Sequence, residues 1–219
     1  MPLRVSTEAG VARIVLDRPE ALNALSPTLL RELIEVCDSL RDDASVRVVR
    51  IEGEGAHFSA GADLPAFLAE LTGDAAQEAA DLGRLAADTV AELPQVSIAA
   101  IRGHCVGGGV VLAAACDLRV AGADARFLVP ELDAGIPLGW GGTGRLVRLV
   151  GETIALDWVL SCRPVGAEEA LRAGLVSRIL DPELFSEEVD ALATSIAEKP
   201  SSVLRTTKRQ LTELRAGMF

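Results

Sequence analysis

Tyrosine is absent from the 219 residues, histidine occurs only as His57 and His104, and aromatic side chains make up 3%. The first absence excludes phenol chemistry. Four cysteines, Cys37, Cys105, Cys116 and Cys162, form no C-x-x-C pair and sit beside no histidine cluster, so no metal site is expected. They read as buried, reduced thiols of a cytoplasmic protein. Basic residues are outnumbered, 21 against 32, and the net charge of −11 excludes the basic footprint that nucleic acid requires. A small anionic ligand needs only a few local donors and stays open. Long apolar runs are lacking too. The longest, Cys105 to Cys116, has twelve residues and is too short to span a bilayer. The start, "MPLRVSTEAG", has no apolar stretch of the signal-peptide kind. Neither a nucleic acid nor a membrane is expected as a partner.

What is present describes a globular chain with a sizeable core: 49% hydrophobic residues and 24% charged. "VARIVLDRP" alternates apolar and polar positions and stops at Pro19, which predicts a strand. "SPTLLRELIEVCDSL" predicts a helix capped by Ser26 with Pro27 at its first position, burying Leu29, Leu33, Val36 and Leu40. "VRVVRIEGEG", "VSIAAIRG" and "DLRVAG" predict three more strands, the second buried on both faces. Residues 64–93 read as one or two alanine-rich helices around a "TGD" break, and helical pattern dominates after about residue 142. A loose strand, strand, helix repetition suggests a layered α/β fold.

Three glycines in "GHCVGGGVVLAAACD" (103–117) stand where a helix begins, although glycine in a helix costs about 1 kcal/mol relative to alanine. Such a start exposes unpaired N–H groups at the positive end of the helix dipole, the construction of an anion or oxyanion site. Close packing against a neighbour explains the glycines equally well. A second small-residue loop, "HFSAGADL" (57–64), follows the strand "VRVVRIEG" and tips the balance. Two loops of this kind allow two N–H groups to converge on one carbonyl oxygen.

Four motifs, "ALNAL" (21–25), "HFSAGADL" (57–64), "GHCVGGG" (103–109) and "VPELDAGIP" (129–137), resemble in order and separation the enoyl-CoA hydratase/isomerase family, the crotonase superfamily. With "GAEEALRAGLVSRIL" and "KPSSVLRTTKRQL", the likeness spans roughly residues 11 to 210. It implies an α/β fold, a crotonase-like spiral of ββα repeats, with residues 1–165 as the core carrying an acyl-CoA site. Residues 166–219 would be a shortened C-terminal helical region of the same domain. It also implies a homotrimer or dimer of trimers acting on acyl-CoA or enoyl-CoA in fatty-acid metabolism, with coenzyme A part of the substrate and no separate cofactor. The family's oxyanion-hole amides fall on Ala62 and Gly108. Substrate and CoA positions fall on Leu22, Ala24, Ala60, Gly61, Asp63, Leu64, Gly107 and Val111, with Trp140 as a candidate wall of the acyl pocket or a plain core residue.

Hydratases of the family use two glutamates. One matches Glu131; the other matches Val111, which cannot hold or deprotonate water. A single base is enough to move a proton from C2 to C4 of a 3-enoyl thioester, so isomerisation through Glu131 is expected over hydration. A weak hydratase and a non-catalytic acyl-CoA binder are the alternatives. Asp133 reads as a solvated turn residue. Glu20 stands where many relatives have a basic residue near the CoA phosphate. Lys208 and Arg209 remain as basic candidates for the phosphates, unless they lie on a solvated helix face. Relatives usually continue past the position of Phe219 into helices that cover the site. Two competing motifs are weak. "HFSAG" puts His57 at the first glycine of G-x-S-x-G, and "GWGGTG" (139–144) satisfies G-x-G-x-x-G without a preceding strand.

Overall fold

The computed structural model describes residues 2–70, 75–215 and 217. In chain order it runs β1 (Leu3–Glu8), β2 (Val11–Leu16), α1 (Pro27–Arg41), β3 (Val48–Gly53), α2 (Leu64–Glu70), α3 (Ala75–Ala91), β4 (Val96–Ile101), β5 (His104–Val106), α4 (Gly108–Ala115), β6 (Leu118–Gly122) and β7 (Arg126–Leu128). It continues with α5 (Gly142–Val150), α6 (Glu152–Ser161), β8 (Val165–Gly166), α7 (Ala167–Ala173), β9 (Arg178–Leu180), α8 (Phe185–Ala197) and α9 (Ser201–Arg215). The "TGD" break, residues 72–74, falls outside the described residues except for its place between α2 and α3.

A six-stranded sheet has the order β1-β2-β3-β4-β6-β9, parallel except for the β1–β2 hairpin, and a smaller sheet has the order β5-β7-β8. Successive turns of chain visit the large sheet, then the small one, then a helix: β4, β5, α4, followed by β6, β7, α5. Two earlier turns do the same with single bridges in place of strands, Leu25 with Ala62 and Ser59 with Cys105, both parallel. The result is a spiral of ββα turns. The expected helical tail also contributes β9, which pairs Val120 with Arg178 and closes that edge of the large sheet.

Both faces of the large sheet are covered, so β4 is apolar on nearly every position, and the alternating Arg50 and Glu52 of β3 are buried as an ion pair. From β4, Ile98 and Ala100 face α8 through Phe185, Val189 and Ala193. Ala99 and Ile101 face the main core with α1, α3 and α4. Helix α1 is capped as predicted, the Ser26 side chain accepting from the Leu29 N–H with Pro27 in the first turn. Helix α4 is buried along its whole length, which explains a run of glycine, valine, leucine and alanine with no polar face.

Candidate active site

Two loops are pinned side by side where β3 and β5 end. Ser59 N–H donates to His104 O at 3.0 Å, and Val106 N–H donates to Ser59 O at 2.9 Å. Leu25 N–H donates to Gly61 O at 2.8 Å, and Asp63 N–H to Leu25 O at 3.1 Å. A side chain on Gly61 would meet Gly108 N at 3.4 Å, so the loop before Ala62 touches the start of α4. Among the described residues, neither the Ala62 nor the Gly108 N–H donates a hydrogen bond. Both residues line a cavity of about 210 Å³.

Each of the three consecutive glycines has its own reason. Gly107 takes φ +49° and ψ −116°, a backbone conformation open to glycine, and a Cβ on it would collide with Oε1 of Glu131. A Cβ on Gly108 would strike the Trp140 ring. One on Gly109 would lie 3.0 Å from Ser59 Cβ. Close packing and exposed amides are therefore both present at the same helix start.

Glu131 follows Pro130 and opens a turn in which its carbonyl accepts from Ala134 N–H at 3.1 Å and Ile136 N–H at 3.0 Å. Its side chain is half-buried and lines the same cavity, and Oε2 is buried with no hydrogen-bond partner. Burial pushes the carboxyl above the usual glutamate range, with its own backbone N–H pulling weakly the other way. A carboxylate with one buried, unpartnered oxygen among apolar walls is costly to keep charged and well suited to taking a proton.

Val111 is 1% exposed and lies beside Gly142, and Glu131 is the one acid among the described residues that line the cavity. Of the residues expected from the sequence, Ala62, Leu64, Gly108, Val111, Glu131 and Trp140 line the cavity together. Leu22, Ala24, Ala60, Gly61, Asp63 and Gly107 do not. Leu22 is exposed with a left-handed φ of +51°, and its carbonyl accepts from Ala60 N–H at 2.9 Å. Asp63 is engaged by Arg18 at 2.9 Å and caps α2 through Ala66 N–H at 3.2 Å. Phe67, Ile136, Pro137, Leu138 and Gly139 also line the cavity and were not singled out. Phe67 lies three residues past Leu64, at helical spacing on the same face, and the others flank Trp140.

Three sequence expectations are corrected or closed by contacts. Lys208 is neither solvated nor free for a phosphate: it is buried, with Nζ 2.7 and 2.6 Å from the two Asp117 oxygens. Ser59 is buried, donates to Asn23 O at 2.8 Å and accepts from Gly61 N–H at 3.1 Å, which leaves no nucleophile. "GWGGTG" follows a loop that begins after Leu128, not a strand, so the dinucleotide frame is missing. Asp133 is exposed, as expected.

A family model described as enoyl-CoA hydratase/isomerase matches residues 6–215. The crotonyl-CoA hydratase of Syntrophomonas wolfei is 36% identical over 207 residues, covering 94% of this chain and 79% of that protein. The crystal structure of an enoyl-CoA hydratase from Bacillus anthracis superposes with a TM-score of 0.93 at 33% identity, covering all of this chain and 87% of that one. A structure from Thermobifida fusca YX, in complex with acetoacetyl-CoA, superposes with a TM-score of 0.89 at 31% identity, covering 97% and 87%.

Proposed function

Because the chain belongs to the enoyl-CoA hydratase/isomerase family, we propose that it performs enolate chemistry on an acyl-CoA thioester with Glu131 as its one acid–base group. The observation that carries this reading is the buried, unpartnered Oε2 of Glu131 in a cavity shared with two unspent N–H groups and no second carboxylate. A solved relative in complex with acetoacetyl-CoA supports a thioester as the ligand.

The proposed reaction moves a double bond. With a 3-enoyl thioester in the cavity, Glu131 takes a proton from C2. The C–H electron pair forms the C1–C2 double bond, and the thioester oxygen becomes a dienolate oxyanion. The Ala62 and Gly108 N–H groups stabilise that charge as it develops; a donor of this kind contributes about 10²–10³ in rate. The protonated Glu131 then returns the proton to C4, leaving a double bond between C2 and C3. The glutamate ends as it began and no water is consumed; the proton held on Glu131 exchanges with solvent before it is returned, which carries a solvent label to C2 and C4. An apolar Val111 suits this path, because it holds no water in position to attack the 2-enoyl product.

Hydration of a 2-enoyl thioester is the second reading, favoured by the hydratase names of the relatives. It would require Glu131 to hold and deprotonate water alone. Parallel incubation with 3-enoyl-CoA and 2-enoyl-CoA in deuterium oxide separates the two. Deuterium at C2 and C4 with little hydroxylated product supports isomerisation. Hydration at an ordinary enzymatic rate, about 10 per second, makes the protein a hydratase with one glutamate.

A further inference from the structure

Trp140 is the only aromatic residue in the described part of the chain with a left-handed backbone, φ +55°. Its indole is inserted between two glycines on different helices. A Cβ on Gly83 of α3 would collide with the five-membered-ring side, and one on Gly108 of α4 with the benzo edge. Phe67 lies against it, ring centroids 5.9 Å apart and tilted by 42°. A strained backbone, two side-chain-free neighbours and an aromatic contact hold one ring at the residue that offers an oxyanion N–H.

Resting on the acyl-CoA reading above, we propose that Trp140 sets the acyl length, restricting this site to thioesters of short acyl chains. An acyl group bound with its carbonyl at Gly108 must extend along the cavity formed by Val111, Leu138, Phe67 and Trp140. A longer chain running from Gly108 toward α3 meets the indole, which fills the space beside Gly83 and Gly108. The cavity of about 210 Å³ is also below the ~300–1,000 Å³ of pockets for drug-sized ligands. Every wall named is apolar, so the selection is by length and not by a polar tail.

Titration calorimetry with butyryl-CoA and octanoyl-CoA, both saturated and so not turned over as enoyl substrates, tests the proposal. The wild type is expected to bind butyryl-CoA at least tenfold more tightly. Trp140→Gly, which the left-handed φ favours, should erase at least tenfold of that preference, and Trp140→Phe should retain most of it. Equal affinities in the wild type, or an unchanged ratio in folded Trp140→Gly, overturn the length role. A second measurement does not depend on that variant folding. In Trp158→Phe protein, Trp140 is the one remaining indole. Its emission should shift with butyryl-CoA and not with CoA alone; no shift with bound butyryl-CoA overturns the proposal. Binding of neither ester would remove the acyl-CoA reading itself, whereas binding without length discrimination removes only the role of Trp140.

Discussion

Oε1 of Glu131 occupies the space that a side chain on Gly107 would need, and Gly107 holds a φ of +49° to leave it there. The carboxylate and the helix start are thus fitted to each other across 24 residues of sequence. Gly107→Ala should displace the carboxylate and strain the turn, costing about 1–3 kcal/mol of stability. Turnover is expected to fall at least tenfold. Thermal melts and steady-state kinetics on the same preparation check this; unchanged turnover would show that Glu131 does not need its present position.

The raised carboxyl of Glu131 predicts two pH effects. As a base it acts only when ionised, so the acid limb of kcat/KM should lie above the ordinary glutamate range. For stability, a carboxyl raised by burial contributes most below its unfolded value and loses that contribution as pH rises through the folded one. Glu131→Gln should therefore melt higher than the wild type at neutral pH, with the gap closing on acidification. The same variant should lose C2 deuterium exchange by about 10²–10⁴-fold while binding butyryl-CoA within a few-fold. Exchange that survives in Glu131→Gln would assign the base elsewhere, with Asp133 tested first.

Val111→Glu places a second carboxylate in the lining of the cavity that holds Glu131, beside Gly142. Hydration of 2-enoyl-CoA should rise relative to isomerisation of 3-enoyl-CoA, and the melting temperature should fall because a charge enters an apolar wall. A product ratio unaltered in folded protein would mean that the missing second acid does not decide the reaction.

Lys208 and Asp117 form an ion pair buried on both sides, side chains 2% and 6% exposed, which docks α9 against the end of α4. Arg215 also reaches Asp117, at 3.1 Å. Removing one partner of a buried pair typically costs about 3–5 kcal/mol, and the remaining arginine should keep Lys208→Met near the lower end. For a chain of this size that is a fall of roughly 6–12 °C in Tm. Calorimetric melting checks it, and a change under 2 °C would show that α9 is held by other contacts.

Strands β2, β3, β4 and β6 and helix α1 were legible in the sequence because their signals are local: alternation, continuous apolar runs, and a serine followed by proline at a helix start. The resemblance of four short motifs also assigned Ala62, Gly108 and Glu131 to one site, although spacing alone left them on three loops. Strands β5, β7 and β8 were not legible, since two or three residues carry no period and only their partners define them. Lys208 looked like a surface cation because the carboxylate that buries it lies 91 residues away. The position of Trp140 between Gly83 and Gly108, and the loss of solvent that raises the Glu131 carboxyl, were likewise decided only in three dimensions. Backbone preference is set by adjacent residues and can be read along the chain. Burial of a charge and contact between rings and glycines depend on which distant segments pack together, and that is a property of the fold.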